Sequence, residues 1–373
     1  MSRRHVLQAS ALAAGTSLFS QARAQTGEAF VPFRTYEQLL QALRDQGRSW
    51  TVLGAAPDRS PIVAVRGGGT KQPAILFSAG AHATEQAGVV AAVEVLRTLK
   101  TDHEFWVLPC RDPIGLSGFR HALRLGLGEE PELESVDQVD EFLRRHGEVV
   151  YDADGTLVVV IGEYGYANRG LYRELPAGAR FLEPLRGKRI WWPSRGLDTP
   201  GAGPLERAYT LVVTPDGEIL HLNRFHDTPW APAEVRCLRG LMAKTRPALT
   251  FDMHEHAGGS FFWMSARRQR TDVDEQWERR MASEAIRAVA AGSGELAPES
   301  YSPGSFFERL ERGVYWLDPS ARGEGLNLVD FAARQYGPGF TIESGMKAPF
   351  AQRVTQQLAV VETAVRVFEE RYA

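Results

Sequence analysis

Residues 73–99 read PAILFSAGAHATEQAGVVAAVEVLRTL, and three successive patterns lie inside them. Pro73–Ser78 is a short apolar run of the length and composition of a buried strand. Ala79–Glu85 is a loop containing Gly80, and it holds the polar pair His82 and Glu85 between two apolar segments. From Ala87 to Leu99 the apolar residues recur at helical spacing. The order is strand, loop, helix. Downstream, Phe105–Leu108 reads as a second strand running into Pro109-Cys110-Arg111-Asp112-Pro113-Ile114-Gly115. Upstream, Tyr36–Leu43 reads as a helix stopped at Gly47, and Trp50–Leu53 with Ile62–Arg66 as a hairpin about Pro57-Asp58-Arg59-Ser60. Further on, the pattern predicts helices over Ala231–Lys244, Val273–Ala291, Leu326–Gln335 and Pro349–Arg371, and strands over Ala248–Met253 and Phe340–Glu343, with a turn-rich stretch reaching Gly325. Strands alternating with helices predict an α/β fold, a three-layer α/β/α sandwich with a mixed, mainly parallel central sheet. Residues 125–217 break the rhythm and read as an insertion in a single domain spanning 25–373. Within it lie a helix-like stretch, Ser135–Gly147, a strand candidate, Leu157–Ile161, and an irregular piece, Pro193–Pro204.

The composition is that of an ordinary globular chain: 373 residues, 43% hydrophobic and 24% charged. No run approaches the ~20 apolar residues of a spanning helix, so no membrane segment is expected in the mature form. Residues 1–24 read as an export signal of the twin-arginine type. Arg3-Arg4 precedes a moderately apolar stretch, Val6–Phe19, and Ala22-Arg23-Ala24 supplies a small-x-small cleavage pattern. The expected partner of that leader is export machinery, and the expected destination is the periplasm or the outside of the cell. The leader carries three arginines and no acidic residue, so a net charge of −3 becomes −6 on its removal, which argues against a nucleic-acid partner. Cys110 and Cys237 are too few for a disulfide framework and read as buried free thiols.

Among nine histidines, two stand at metal-ligand positions. His82-Ala83-Thr84-Glu85 follows an apolar strand, and residues three apart at a strand exit can face one ion. His254 ends the apolar run Ala248–Met253 in an Asp-x-His pattern, whose Asp252 suits either an orienting acceptor or a plain strand end. His256 lies on the same side by strand alternation and competes with His254 as a ligand. His103, His121, His146, His221 and His226 read as solvent-facing or structurally hydrogen-bonded. Two histidines and a glutamate leave one position of a tetrahedral zinc open for water, the arrangement of catalytic rather than structural sites. Glu343, ending the apolar run Gly339–Ile342, is placed to serve as a general base whose pKa burial raises. Trp191-Trp192 and Phe261-Phe262-Trp263 read as core or loop packing.

The sequence resembles the zinc carboxypeptidases of the metallocarboxypeptidase, or funnelin, type. The resemblance rests on Leu53-Gly54 to Ile62, Gly80-Ala81-His82-Ala83-Thr84-Glu85, Asp112-Pro113-Ile114-Gly115, Leu222-Asn223-Arg224-Phe225, Asp252-Met253-His254 and Phe340-Thr341-Ile342-Glu343, all in family order. It implies one zinc per chain held by His82, Glu85 and His254, with Glu343 as general base and acid. It implies that Asn223 and Arg224 bind the terminal carboxylate of a substrate, which a planar guanidinium recognises in a forked manner. It further implies an oxyanion-stabilising arginine, for which Arg120 and Arg124 are candidates and Arg120 lies nearer the motif, and a mobile substrate-binding tyrosine, for which Tyr315 is the candidate. The chain departs from the family where Asp112-Pro113-Ile114-Gly115 replaces Asn-Pro-Asp-Gly, where Ala83-Thr84 lacks the usual arginine, and in the long segment between Gly115 and Asn223. The expected function is exported zinc-dependent hydrolysis of the C-terminal bond of a peptide. The alternative is a zinc amidase or deacylase acting on N-acyl amino acids or cell-wall peptides, and both substrates carry a free carboxylate. A non-catalytic binding protein on the same fold is the third reading. The side-chain specificity residue is expected between Gly323 and Gln335.

Overall fold

The computed structural model describes residues 30–170, 180–194, 203–266, 271–304, 307–317 and 325–373. The leader, part of the Pro193–Pro204 loop, part of the turn-rich stretch before Gly325 and the first residues of the Gly323–Gln335 segment lie outside them. In chain order the first elements are α1 (Tyr36–Asp45), β1 (Thr51–Ala55), β2 (Pro61–Gly68), β3 (Lys71–Ala79), α2 (Gln86–Thr98) and β4 (His103–Leu108). Then come α3 (Pro113–Ser117), α4 (Phe119–Leu127), α5 (Val139–His146), β5 (Glu148–Ala153), β6 (Thr156–Ile161), β7 (Tyr164–Ala167), β8 (Arg189–Pro193), β9 (Ala208–Val213) and β10 (Ile219–His221). The last part holds α6 (Ala233–Thr245), β11 (Leu249–His256), β12 (Phe262–Ala266), α7 (Asp272–Ala291), β13 (Phe307–Glu311), β14 (Val314–Leu317), α8 (Leu328–Gln335), β15 (Gly339–Gly345) and α9 (Phe350–Arg371).

Nine strands form the main sheet in the order β1-β2-β4-β3-β11-β15-β12-β14-β13. Its four middle strands, β4, β3, β11 and β15, run parallel, and so does the pair β12–β14; the pairs β1–β2, β2–β4, β12–β15 and β13–β14 are antiparallel. The sheet is therefore evenly mixed, parallel at its centre and antiparallel towards its edges. Central parallel strands are covered on both faces and read as continuous apolar runs, as Ile75–Phe77 and Leu249–Phe251 do. One face carries α2, α7 and α9 over a core in which Phe77 stacks on Phe251 at 5.4 Å and Trp263 lies 4.4 Å from Phe340. The other carries α6 and α8 through Leu238, Leu241, Met242, Leu328 and Ala332. Each fully buried leucine, phenylalanine or methionine among them contributes roughly 1.5–3 kcal/mol relative to exposure. Among the described residues no helix is long and apolar enough to cross a membrane.

Local chemistry starts the helices where the sequence places them. Thr271 and Asp274 form a reciprocal capping box on α7, Asn327 accepts the Asp330 N–H at 2.8 Å on α8, and Asp112 accepts the Gly115 N–H at 2.9 Å on α3 with Pro113 at the first position. On α2 the N-terminal Glu85 makes no cap bond; Glu255 of β11 accepts the Ala87 N–H instead, at 2.7 Å. The same helix is pressed onto the sheet at Gly88, where a Cβ would stand 2.6 Å from the Met253 carbonyl oxygen.

The region expected as an insertion holds most of a second sheet of six strands, β10-β9-β8-β7-β6-β5. Helices α4 and α5 pack on it through Phe119, Leu123, Val139 and Leu143 against Leu157, Val159, Tyr166 and Trp191. Buried polar contacts join it to the main body, among them Arg189 of β8 to Glu234 of α6 at 2.7 Å and Thr210 of β9 to Asp112 at 2.7 Å. Strands β7 to β9 escape sequence patterning because they are short, separated by Pro- and Gly-rich stretches, and largely buried. Cys110 and Cys237 are free thiols, the first buried and the second half-buried.

Candidate metal centre and its surroundings

Three central strands deliver the candidate residues to one sheet edge. β3 and β11 run parallel with Ala79 opposite Met253, so His82 just beyond β3 and His254 near the end of β11 leave the sheet together. His254 pairs in register with Glu343 of β15, which puts both side chains on the same face. This is the carboxyl end of parallel strands, where the crevices of open α/β sheets lie.

His82, Glu85 and His254 offer donor atoms that lie within 4.8 Å of one another. The Glu85 carboxylate divides its oxygens between two rings, Oε1 at 2.5 Å from His82 Nδ1 and Oε2 at 2.6 Å from His254 Nδ1. Each ring's other nitrogen is already engaged: His254 Nε2 with Asp252 Oδ2 at 2.9 Å, and His82 Nε2 with His221 Nδ1 at 2.8 Å. Two Nδ1 atoms and a carboxylate thus face one point, with the outer nitrogens held by the protein. That donor set suits zinc, whose histidine ligands characteristically lend their second nitrogen to an orienting partner.

The electrostatics follow from burial and close pairing. Burial by itself would raise Glu85, but the two imidazoles bring it down to about 2. Burial likewise opposes a charged His254, and Asp252 and Glu85 overcome it, raising its pKa well above the usual histidine value. Burial also opposes an ionised Asp252, yet Arg111 and His254 hold its carboxyl well below the usual range. Glu343 is pushed up to about 8, chiefly by burial; His254 pulls it back, and Glu85, Asp252 and Glu255 raise it further. Its Oε2 is enclosed and has no hydrogen-bond partner among the described residues.

Behind the donors stands a buried network that the sequence does not announce. Arg111, 1% exposed, donates to Asp252 Oδ1 at 2.5 Å and to Asn223 Oδ1 at 3.0 Å, with His226 Nε2 at 3.3 Å. Asn223 in turn donates from Nδ2 to Asp252 Oδ2 at 2.8 Å and accepts the Leu328 N–H at 3.0 Å. Both ends of its amide are committed to the protein, so Asn223 braces Asp252 and does not clamp a substrate carboxylate. Arg224 stands differently. It is half-buried, donates to the Asn223 carbonyl at 2.9 Å, and lies close enough to His82 and His221 for its charge to press both imidazoles towards neutrality, alongside the larger effect of burial.

Two other sequence expectations need correction. Arg120 lies on α4 with a side chain 42% exposed, donating to the Leu133 carbonyl at 3.3 Å and 3.9 Å from Glu130; Arg124 on the same helix is exposed. Neither guanidinium joins the cluster, and the arginine that does, Arg111, belongs to the turn after β4. Tyr315 is buried among Phe262, Met264 and Ala297, and its hydroxyl donates to the Tyr301 carbonyl at 3.1 Å. Tyr301 is the tyrosine that feels the Glu343 carboxylate, its pKa raised to about 12 by burial and then by that charge. His221 and His226, read as solvent-facing or structurally hydrogen-bonded, are the second of these: both are buried, with His221 on His82 and His226 on Arg111. His256, the competing ligand, turns away to the Ser260 carbonyl at 2.6 Å and accepts the Gly258 N–H at 3.1 Å.

No protein-family profile matches the chain, and no curated protein matches it. Solved structures do. A candidate metallopeptidase from Shewanella denitrificans superposes with a TM-score of 0.50 at 14% identity, over 88% of this chain and 87% of its own. A second, from Shewanella amazonensis, gives 0.47 at 16% identity over 89% and 91%. A metallo-carboxypeptidase from Pseudomonas aeruginosa, solved with (2-guanidinoethylmercapto)succinic acid, gives 0.48 at 14% over 90% and 68%. The first of these comparisons shows a shared mixed α/β fold.

Proposed function

We propose that the protein is a zinc-dependent hydrolase of the metallocarboxypeptidase type, cleaving the amide bond next to a free carboxylate. The observation that carries this reading is the conjunction of a three-donor set, whose outer ring nitrogens are both held, with an enclosed carboxylate on the adjacent strand. His82, Glu85 and His254 would hold the ion. Zinc there supplies Lewis acidity, making an attacking water acidic near neutral pH and polarising the scissile carbonyl. Asp252, braced by Arg111 and Asn223, orients His254. Glu343 takes the proton of the attacking water and delivers it to the leaving amine. Arg224 is the cation assigned to the substrate carboxylate, and it acts without Asn223. A carboxylate-binding Arg224 serves equally a second substrate class, N-acyl amino acids cleaved by an amidase or deacylase, because they too carry a free carboxylate. The leader at 1–24 supports export to the periplasm or beyond.

The test uses free-acid peptides and N-acyl amino acids beside their amidated forms, with products detected by mass. Zinc analysis of the purified protein should give about one ion per chain, lost in His82→Ala. Free acids should be cleaved and amidated forms spared. In Arg224→Ala, cleavage of free acids should drop by an amount equivalent to roughly 2–5 kcal/mol, the cost of truncating one partner of a buried charge pair, while any residual cleavage of amidated forms stays unchanged. Equal cleavage of free and amidated ends would overturn the carboxylate assignment. Absence of metal with no rescue by added zinc would overturn the zinc assignment.

A further inference from the structure

The two histidine donors are held by unlike partners. His254 leans on a carboxylate, Asp252, while His82 leans on a second imidazole. His82 Nε2 lies 2.8 Å from His221 Nδ1, with ring centroids 4.6 Å apart. His221 is 4% exposed and ends β10, a strand of the second sheet. The next strand of that sheet, β9, places Tyr209 flat against the same ring at 5.1 Å and 16°, and Tyr209 stacks in turn on Trp192 of β8 at 4.5 Å and 22°. The second sheet thus touches His82 twice, once at Nε2 and once across its face.

We propose that His221 is a positioning residue for the metal donor His82: it accepts the Nε2 proton of His82, fixes the tautomer with a free Nδ1 lone pair towards the ion, and makes the second sheet part of the metal centre. The inference rests on the zinc reading above. A neutral acceptor serves this purpose because it needs only a lone pair at that point. Tyr209 fixes the plane of the donor ring while His221 fixes its rotation, so the second sheet removes both of its remaining freedoms.

The experiment measures zinc affinity by chelator competition in the full chain, first for the parent and then for His221→Phe and His221→Asn. The asparagine Oδ1 stands where the His221 Nδ1 stands and can accept the same proton, whereas phenylalanine fills the space without an acceptor. Loss of such an orienting partner typically weakens metal binding 10–100-fold, so His221→Phe should fall in that range and His221→Asn should recover to within about threefold of the parent. Phenylalanine binding as tightly as the parent, or asparagine as weakly as phenylalanine, overturns the proposal. In the zinc-loaded parent, 15N-labelled histidine should show the His82 proton on Nε2, facing an unprotonated His221 Nδ1; the opposite arrangement overturns it without recourse to any variant. A parent that binds no zinc removes the functional reading and this inference together, whereas a zinc-binding parent with an indifferent His221 removes only the second.

Discussion

In the proposed mechanism the transferred proton passes through Glu343. Its carboxylate shares a register with His254, has one oxygen without a partner among the described residues, and is pushed up to about 8 by burial and neighbouring carboxylates. An amide of the same shape leaves the donor set untouched but can neither take nor return a proton. Glu343→Gln is therefore expected to retain about one zinc per chain while kcat falls by roughly 10²–10⁴-fold, the usual contribution of a placed acid–base group; metal analysis beside steady-state rates checks both halves. Near-normal kcat would assign the base elsewhere. The candidate donors and Glu343 are legible in the sequence for a common reason: His254 and Glu343 end apolar runs, and His82 and Glu85 lie in the loop just beyond one. Arg111, Asn223 and His221 were not legible in their roles. Arg111 follows a strand by three residues, like many surface arginines, and only the return of β11 beside β3 brings Asp252 against it. Asn223 looks like half of a carboxylate clamp until Arg111, Asp252 and the Leu328 N–H consume its amide.

Elements carry the second group of consequences, and α2 is the clearest. Helix propensity favours alanine over glycine by about 1 kcal/mol, yet at Gly88 a Cβ would meet the Met253 carbonyl oxygen at 2.6 Å. Backbone cannot yield as a flexible side chain can, so Gly88→Ala is expected to destabilise by about 1–3 kcal/mol, seen as a lower urea midpoint at unchanged slope. On α9, Glu362 is raised to about 7 by burial alone, and its Oε1 has no partner among the described residues. The unfolded chain titrates this group near 4.5, so the folded state binds more protons between about 4.5 and 7 and loses stability as pH rises through that window. Glu362→Gln should be more stable than the parent at pH 8 by about 2 kcal/mol, allowing for partial exposure, and no more stable at pH 4. Denaturant titrations at the two pH values decide it; equal gains at both would mean that packing, and not ionisation, is responsible. The helices and central strands were legible because their apolar periods are long, as in α2, α7 and α9. The second sheet was not, since β7 spans four residues and finds its partner β8 across more than twenty positions of intervening chain.

At the scale of the whole molecule, the donors tie residue 82 to residue 254 through adjacent strands, and His221 adds the second sheet to the same point. An ion held there should resist global unfolding and not merely local opening. Zinc at one hundred times its dissociation constant is expected to add about 2.7 kcal/mol to stability, visible in calorimetry as one transition that moves up with zinc and returns with chelator. Two transitions, with only the lower one sensitive to zinc, would show that the second sheet unfolds by itself. The order of the main sheet has a further consequence, for synthesis. β15 lies between β11 and β12, yet it follows every other described strand of the sheet in the chain. Without residues 339–345 no strand joins β11 to β12, and the remaining pairings fall into two sets, β1-β2-β4-β3-β11 and β12-β14-β13, each ending on the edge that β15 covers. The strand bearing Glu343 is the keystone of the sheet, so a nascent chain acquires the proposed acid–base residue and its closed architecture in the same act. A chain stalled just short of that point has neither, and it offers two unpaired apolar edges to whatever lies nearby.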